Sequence, residues 1–159
     1  MSPRETSGSP EERLGALGYE LPPPVPVSDF TVGARRSGSL LFLGGHGPIR
    51  PDGTYVLGQV GGDIDLAAAR EAARLTGLSL LRSARDALGT LDEVAGVVRI
   101  LGMVHAVGGF TQFGRVIDGC SEVFLAVFGE AGRHVRASVG IGGLSGIPVE
   151  IEAVMELRA

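Results

Sequence analysis

Two runs near the end of the chain, 133–141 and 149–157, alternate apolar and polar positions with a period of two, around a Gly/Ser/Pro-rich break at 143–148. Side chains alternate across a strand, so the pattern predicts two strands joined as a β-hairpin. In the first, Ala137, Val139 and Ile141 share one face, and Arg136, Ser138 and Gly140 the other. In the second, Val149, Ile151, Ala153 and Met155 oppose Glu150, Glu152 and Glu156. The apolar rows are expected to build core. The other rows gather a guanidinium, a hydroxyl, bare backbone and carboxylates, and an arginine fork matches a carboxylate bidentately. Antiparallel pairing would set Glu150 opposite Gly140 or Ile141, with its backbone about 13–17 Å from that of Arg136. That spacing disfavours a simple ion pair and suits either two groups reaching opposite ends of one small ligand or, more plainly, an edge-strand arginine and a solvated row of glutamates.

Upstream, residues 1–10 read as a disordered tail, and 10–18 as a short helix with Pro10 at its start and Gly18 at its end. Pro22, Pro23, Pro24 and Pro26 make a stiff connector. Residues 30–36 and 40–44 predict a hairpin around Ser37-Gly38-Ser39, and 55–57 a short third strand after the turn at Pro51-Asp52-Gly53. The clearest helix is 65–88, where Ala69, Ala73, Leu80, Ala84 and Ala87 fall on one face. Asp63 or Asp65 caps its start and Gly89 its end. A β-rich run at 97–107 and a second helix at 110–128 follow. The order β-β-β-α-β-α-β-β predicts an α+β fold, a mixed sheet with two helices on one face. The crossover between 97 and 136 should be right-handed. The uncovered face is expected to carry Arg136, Ser138 and Glu150, and to meet a second subunit. Residues 1–24 divide off as a tail, short helix and connector, and 25–159 as the domain proper.

Composition narrows the function. A chain of 159 residues with 44% hydrophobic and 20% charged residues is expected to form one globular domain. Apolar runs are too short to span a bilayer, and the first residues lack the apolar core of a signal peptide. One cysteine, Cys120, fits a reducing cytoplasm. A net charge of −4 with 5% aromatics argues against nucleic acid as partner. The 26 glycines point to turns and close backbone approaches, at seams or pockets.

Three histidines, His46, His105 and His134, are too scattered for a metal motif. His46, within G-G-H-G-P, is either a loop histidine or a proton-transfer group, since imidazole titrates near neutral pH. His105 reads as a satisfied strand residue, and His134 as lying just before the Arg136 strand. Cys120 reads as packing rather than a nucleophile. Asp118 projects from the second helix toward a neighbour's cleft or complements the helix dipole.

G-G-H-G-P stands at 44–48, followed by the Ala-rich helix, V-I-D-G at 116–119, R-A-S-V-G at 136–140 and V-E-I-E-A at 149–153. On these motifs the chain resembles the YjgF/RidA (reactive intermediate deaminase A) family, in a longer YjgF-like branch labelled endoribonuclease. The resemblance implies a chorismate-mutase-like fold and a homotrimer with ligand clefts between subunits. It also implies hydrolysis of 2-imino or 2-enamino acids to 2-keto acids and ammonia, with no metal or organic cofactor. On this resemblance Arg136 binds the substrate carboxylate and Glu150 positions or activates water. Gly45 lines the cleft, joined by His46, Phe30, Ser138 and Asp118 as substrate-binding positions. G-G-L-S-G-I stands where the family has an Ala-Arg-Leu-Pro stretch, so a second arginine is missing. Alternatives are a non-catalytic module sensing a small carboxylate and, on the family label, an endoribonuclease.

Overall fold

The computed structural model describes residues 8–159; most of the tail expected at 1–10 lies outside them. Ser9 and Pro10 belong instead to a first helix, α1 (Pro10–Ala16), closed by a capping box between Ser9 and Glu12. Then come β1 (Ala34–Ser37), β2 (Leu40–His46), α2 (Leu66–Leu88), β3 (Val94–His105), α3 (Phe113–Phe128), β4 (Val135–Ile141) and β5 (Val149–Leu157). Gly38, at φ +59°, turns β1 into β2. The expected third strand is absent: Tyr55 makes only an isolated bridge to Ile49, within a tight loop tied by Arg50 N–H to the Thr54 carbonyl.

The five strands form one mixed sheet in the order β1-β2-β5-β3-β4. The hairpin expected at the C-terminal end does not form. β4 pairs in parallel with β3, and β5 lies antiparallel between β2 and β3. β5 buries Val149, Ile151, Ala153, Met155 and Leu157, so it takes the sheet's centre and leaves β4 as an edge. The two strands do run in opposite directions, with β3 between them. Met103 of β3 faces both Val139 and Glu150, so those residues stand level two strands apart.

Both long helices cover the same face. Asp65 caps α2 through a hydrogen bond from the Ala68 N–H (2.8 Å), and Gly89 at φ +83° ends it. Ala69, Ala73, Leu80 and Ala84 are buried as the spacing predicts, whereas Ala87 is exposed. From Leu75 to Leu81 every residue is buried, because α3 packs on α2 beside the sheet and the connector closes over it, Arg82 reaching the Pro22 carbonyl. Two glycines allow this crossing. A Cβ on Gly77 would press on Cys120 and Val123, and one on Gly119 would collide with the Arg70 carbonyl. None of the described helices is long and apolar enough to cross a membrane.

Candidate active site

The sites follow from which way each strand turns its two rows. Ile100 is level with both Arg136 and Ala153, and Ile100 and Ala153 are buried beneath the helices. Arg136 therefore lies on the helix-covered side, with Ser138 and Gly140. This corrects the expected face. The apolar row of β4 is the one turned outward, with Val135 68% exposed. Its partner row turns in because α3 supplies matching polar atoms.

Those atoms hold Arg136 closely. Its Nη1 donates to Ser121 Oγ (2.9 Å), and Nη2 to Asp118 Oδ1 (2.7 Å) and the Gly114 carbonyl (3.2 Å). Ser121 Oγ also meets His134 Nε2 at 3.0 Å, and His134 Nδ1 lies 2.7 Å from the Gly132 carbonyl. Facing a carbonyl, Nδ1 must carry the proton, so Nε2 accepts from the serine. Burial lowers the His134 pKa, the Gly132 hydrogen bond opposes it, and the Arg136 charge adds to the lowering. Ser138 stands two residues on, its hydroxyl buried with no hydrogen-bond partner. A Cβ on Gly140 would strike the Phe113 ring.

Glu150 occupies the opposite, open side of the sheet. A Cβ on Gly45 would collide with its carboxylate, so the carboxylate lies directly against the bare Gly45 backbone. It makes no salt bridge among the described residues, whereas neighbouring Glu152 pairs with Arg99 at 3.5 Å. His105, two residues beyond Met103, takes the diagonal position beside Glu150 and has a buried Nδ1 without a partner. Phe42, Val98 and Val139 are exposed apolar residues of these strands.

Two expected positions lie elsewhere. His46 is level with buried Ile151 and points into the core, 1% exposed. Its Nδ1 donates to the Gly44 carbonyl (2.6 Å) and its Nε2 bonds Ser83 Oγ (2.7 Å), while burial lowers its pKa. Phe30 is 96% exposed at a turn where Ser28 and Thr31 hydroxyls meet at 3.0 Å. The structure thus gathers Arg136, Asp118 and Ser138 in one place and Glu150 with Gly45 in another. Cys120 is fully buried and burial pushes its thiol pKa up, which suits packing. Among the described residues no group of three or more His, Cys, Asp or Glu side chains is placed to hold a metal. Ser121, His134 and His105 carry no local sequence signal, since each gains its setting only from another element.

The sequence matches the family model described as YjgF/chorismate mutase-like, putative endoribonuclease, over residues 11–144. That span includes Arg136 and stops short of Glu150. Over 154 residues the chain is 35% identical to protein TCP17 of Trypanosoma cruzi, covering 96% of each. The crystal structure of Atu1372 from Agrobacterium tumefaciens, described as of unknown function, superposes with a TM-score of 0.85 at 37% identity. The match covers 94% of this chain and 92% of that one. An endoribonuclease from Shewanella oneidensis MR-1, described as putative, gives a TM-score of 0.90 at 28% identity, covering 94% and 100%. The five-stranded mixed sheet under two helices and these matches agree: the chain belongs to the YjgF/RidA family, with its chorismate-mutase-like fold.

Proposed function

We propose that the protein hydrolyses a small 2-imino or 2-enamino acid to the 2-keto acid and ammonia, in clefts shared between subunits of a homotrimer. The observation that carries this reading is Glu150, a carboxylate without a salt bridge among the described residues, pressed against bare backbone on an open sheet face that also exposes Phe42, Val98 and Val139. Exposed apolar residues grouped on an open face suit burial against a second copy. In a single chain, Arg136 is separated from Glu150 by three residues along the strands and two strand spacings, about 14 Å, and by the sheet itself. One small molecule cannot touch both, so a productive site takes Arg136 from one subunit and Glu150 from its neighbour.

The chemistry asks little of the protein. The imine carbon is already electrophilic, so holding the substrate carboxylate and placing a water on that carbon supply much of the catalysis. Glu150 accepts the proton of the attacking water and returns it to nitrogen, and the tetrahedral intermediate expels ammonia. Arg136 retains two N–H groups, on Nε and Nη1, without a partner among the described residues, and these face the carboxylate. A binding module for a small carboxylate is the second reading. It is favoured by the Asp118 carboxylate already on Arg136 and by His46 being locked in the core.

An amino-acid oxidase generating imino acid in the presence of the protein tests the proposal through the rate of ammonia release. Arg136→Ala and Glu150→Gln should each abolish the acceleration, and mixed oligomers of the two variants should recover part of it. No acceleration by the unaltered protein, with keto-acid binding retained, favours the sensor. No recovery on mixing overturns the shared cleft.

A further inference from the structure

We propose that Ser121 and His134 form a nucleophilic dyad that accepts acyl groups from small esters or thioesters. This activity is separate from imine hydrolysis and needs neither Glu150 nor a second copy. The parts required for an activated serine are present in one chain. Ser121 Oγ is 3.0 Å from His134 Nε2, the distance of a nucleophile donating to its base. The Gly132 carbonyl, 2.7 Å from Nδ1, fixes the tautomer that leaves Nε2 free to accept, which is the task of the third member of a triad. The Phe124 ring stands edge-to-face to the imidazole at 5.9 Å and holds its plane. Arg136 Nη1 bonds the same oxygen at 2.9 Å, so a cation stabilises negative charge as it develops there. Anchoring Arg136 needs only a lone pair on Ser121. It does not need the hydroxyl proton to be handed to an oriented imidazole.

Access and protonation state agree with the geometry. Ser121 and His134 are both partly exposed, at the rim where α3 meets the edge strand β4. Burial lowers the His134 pKa, which favours the neutral imidazole that a base needs. In the acylation step the Ser121 proton passes to Nε2 as the Oγ–acyl bond forms. The bond from the acyl carbon to the leaving oxygen or sulfur breaks, and the imidazolium protonates the leaving group. Water, deprotonated by His134, then hydrolyses the acyl-serine and restores the hydroxyl. The two unpartnered N–H groups of Arg136 are the donors this site offers to the developing oxyanion.

The test uses the full-length protein with p-nitrophenyl acetate and, separately, a fluorophosphonate, followed by peptide mapping. A burst of p-nitrophenol and a covalent adduct on Ser121 are expected. His134→Gln should slow adduct formation by about 10²–10⁴-fold, the usual contribution of a general base. Thermal melting of each variant separates lost chemistry from lost fold, and mapping the unaltered protein needs no variant at all. No adduct on Ser121, or equal labelling in a folded His134→Gln protein, overturns the dyad and leaves the pair as an anchor for Arg136.

Discussion

Replacing Asp118 with Asn should make the protein a better binder of keto acids. Asp118 Oδ1 sits 2.7 Å from Arg136 Nη2, so any ligand carboxylate at Arg136 competes with a carboxylate already there. The side chains are 28% and 39% exposed, which places the pair near the surface limit, where such contacts are worth about 0.2–1 kcal/mol. Asn keeps an oxygen acceptor for the Nη2 hydrogen bond and removes only the charge. Ligand affinity should rise by the same amount, about 1.4- to 5-fold, at a similarly small loss of folding stability. Titration calorimetry with a short 2-keto acid reads this directly. Repeating it at higher salt should shrink the gain, because charges near the surface are screened over about 10 Å at 0.1 M. Unchanged or weaker binding by Asp118→Asn would refute the competition between the two carboxylates.

Gly45→Ala should cut ammonia release at least about tenfold, as expected when a catalytic group is misplaced, because its Cβ displaces the Glu150 carboxylate; melting should move little, since Gly45 lacks a left-handed φ. Gly119→Ala places a methyl on the Arg70 carbonyl and should lower stability by about 1–3 kcal/mol or more, read from the urea midpoint. Phe124→Ala empties a fully buried ring site on α3, beside Phe128 and His134, and should cost about 3–5 kcal/mol by the same assay. His46 and His134 have folded pKa values below the ordinary 6.5. The unfolded chain therefore binds more protons below about pH 6.5, and stability should fall as pH drops through that value and level off below the folded pKa values. His46→Gln should flatten this slope in pH-dependent urea melts, and an unchanged slope would remove His46 as its source.

Much of the fold was legible because most elements obey local rules. The 3.6-residue spacing of Ala69, Ala73, Leu80 and Ala84, the cap at Asp65 and the stop at Gly89 place α2 almost to the residue. β5 reads correctly because it is central: its apolar row faces this chain's own helices. Pairing was not legible. Alternation says that 133–141 and 149–157 are strands, but which strand lies between them depends on what β3 can offer both sides, far away in sequence. The short run at 55–57 has strand composition and no neighbour long enough to pair with it.

The face of β4 misleads for a more instructive reason. Alternation assigns an apolar row to the core, yet here Val135 and Val139 look outward while Arg136, Ser138 and Gly140 look toward α3. An arginine turns toward a helix where its charge is answered there, and α3 supplies a carboxylate, a hydroxyl and a carbonyl within 3.2 Å. None of those partners is adjacent in sequence, so no window centred on Arg136 could foresee the inversion. The same inversion leaves an apolar row on an edge strand, an arrangement a lone chain would be expected to avoid. Local rules are best broken where something else is being served. A strand that spends its polar row on holding one arginine and its apolar row on an open face is what the proposed shared cleft would require, with a ligand held on one side and a second copy met on the other.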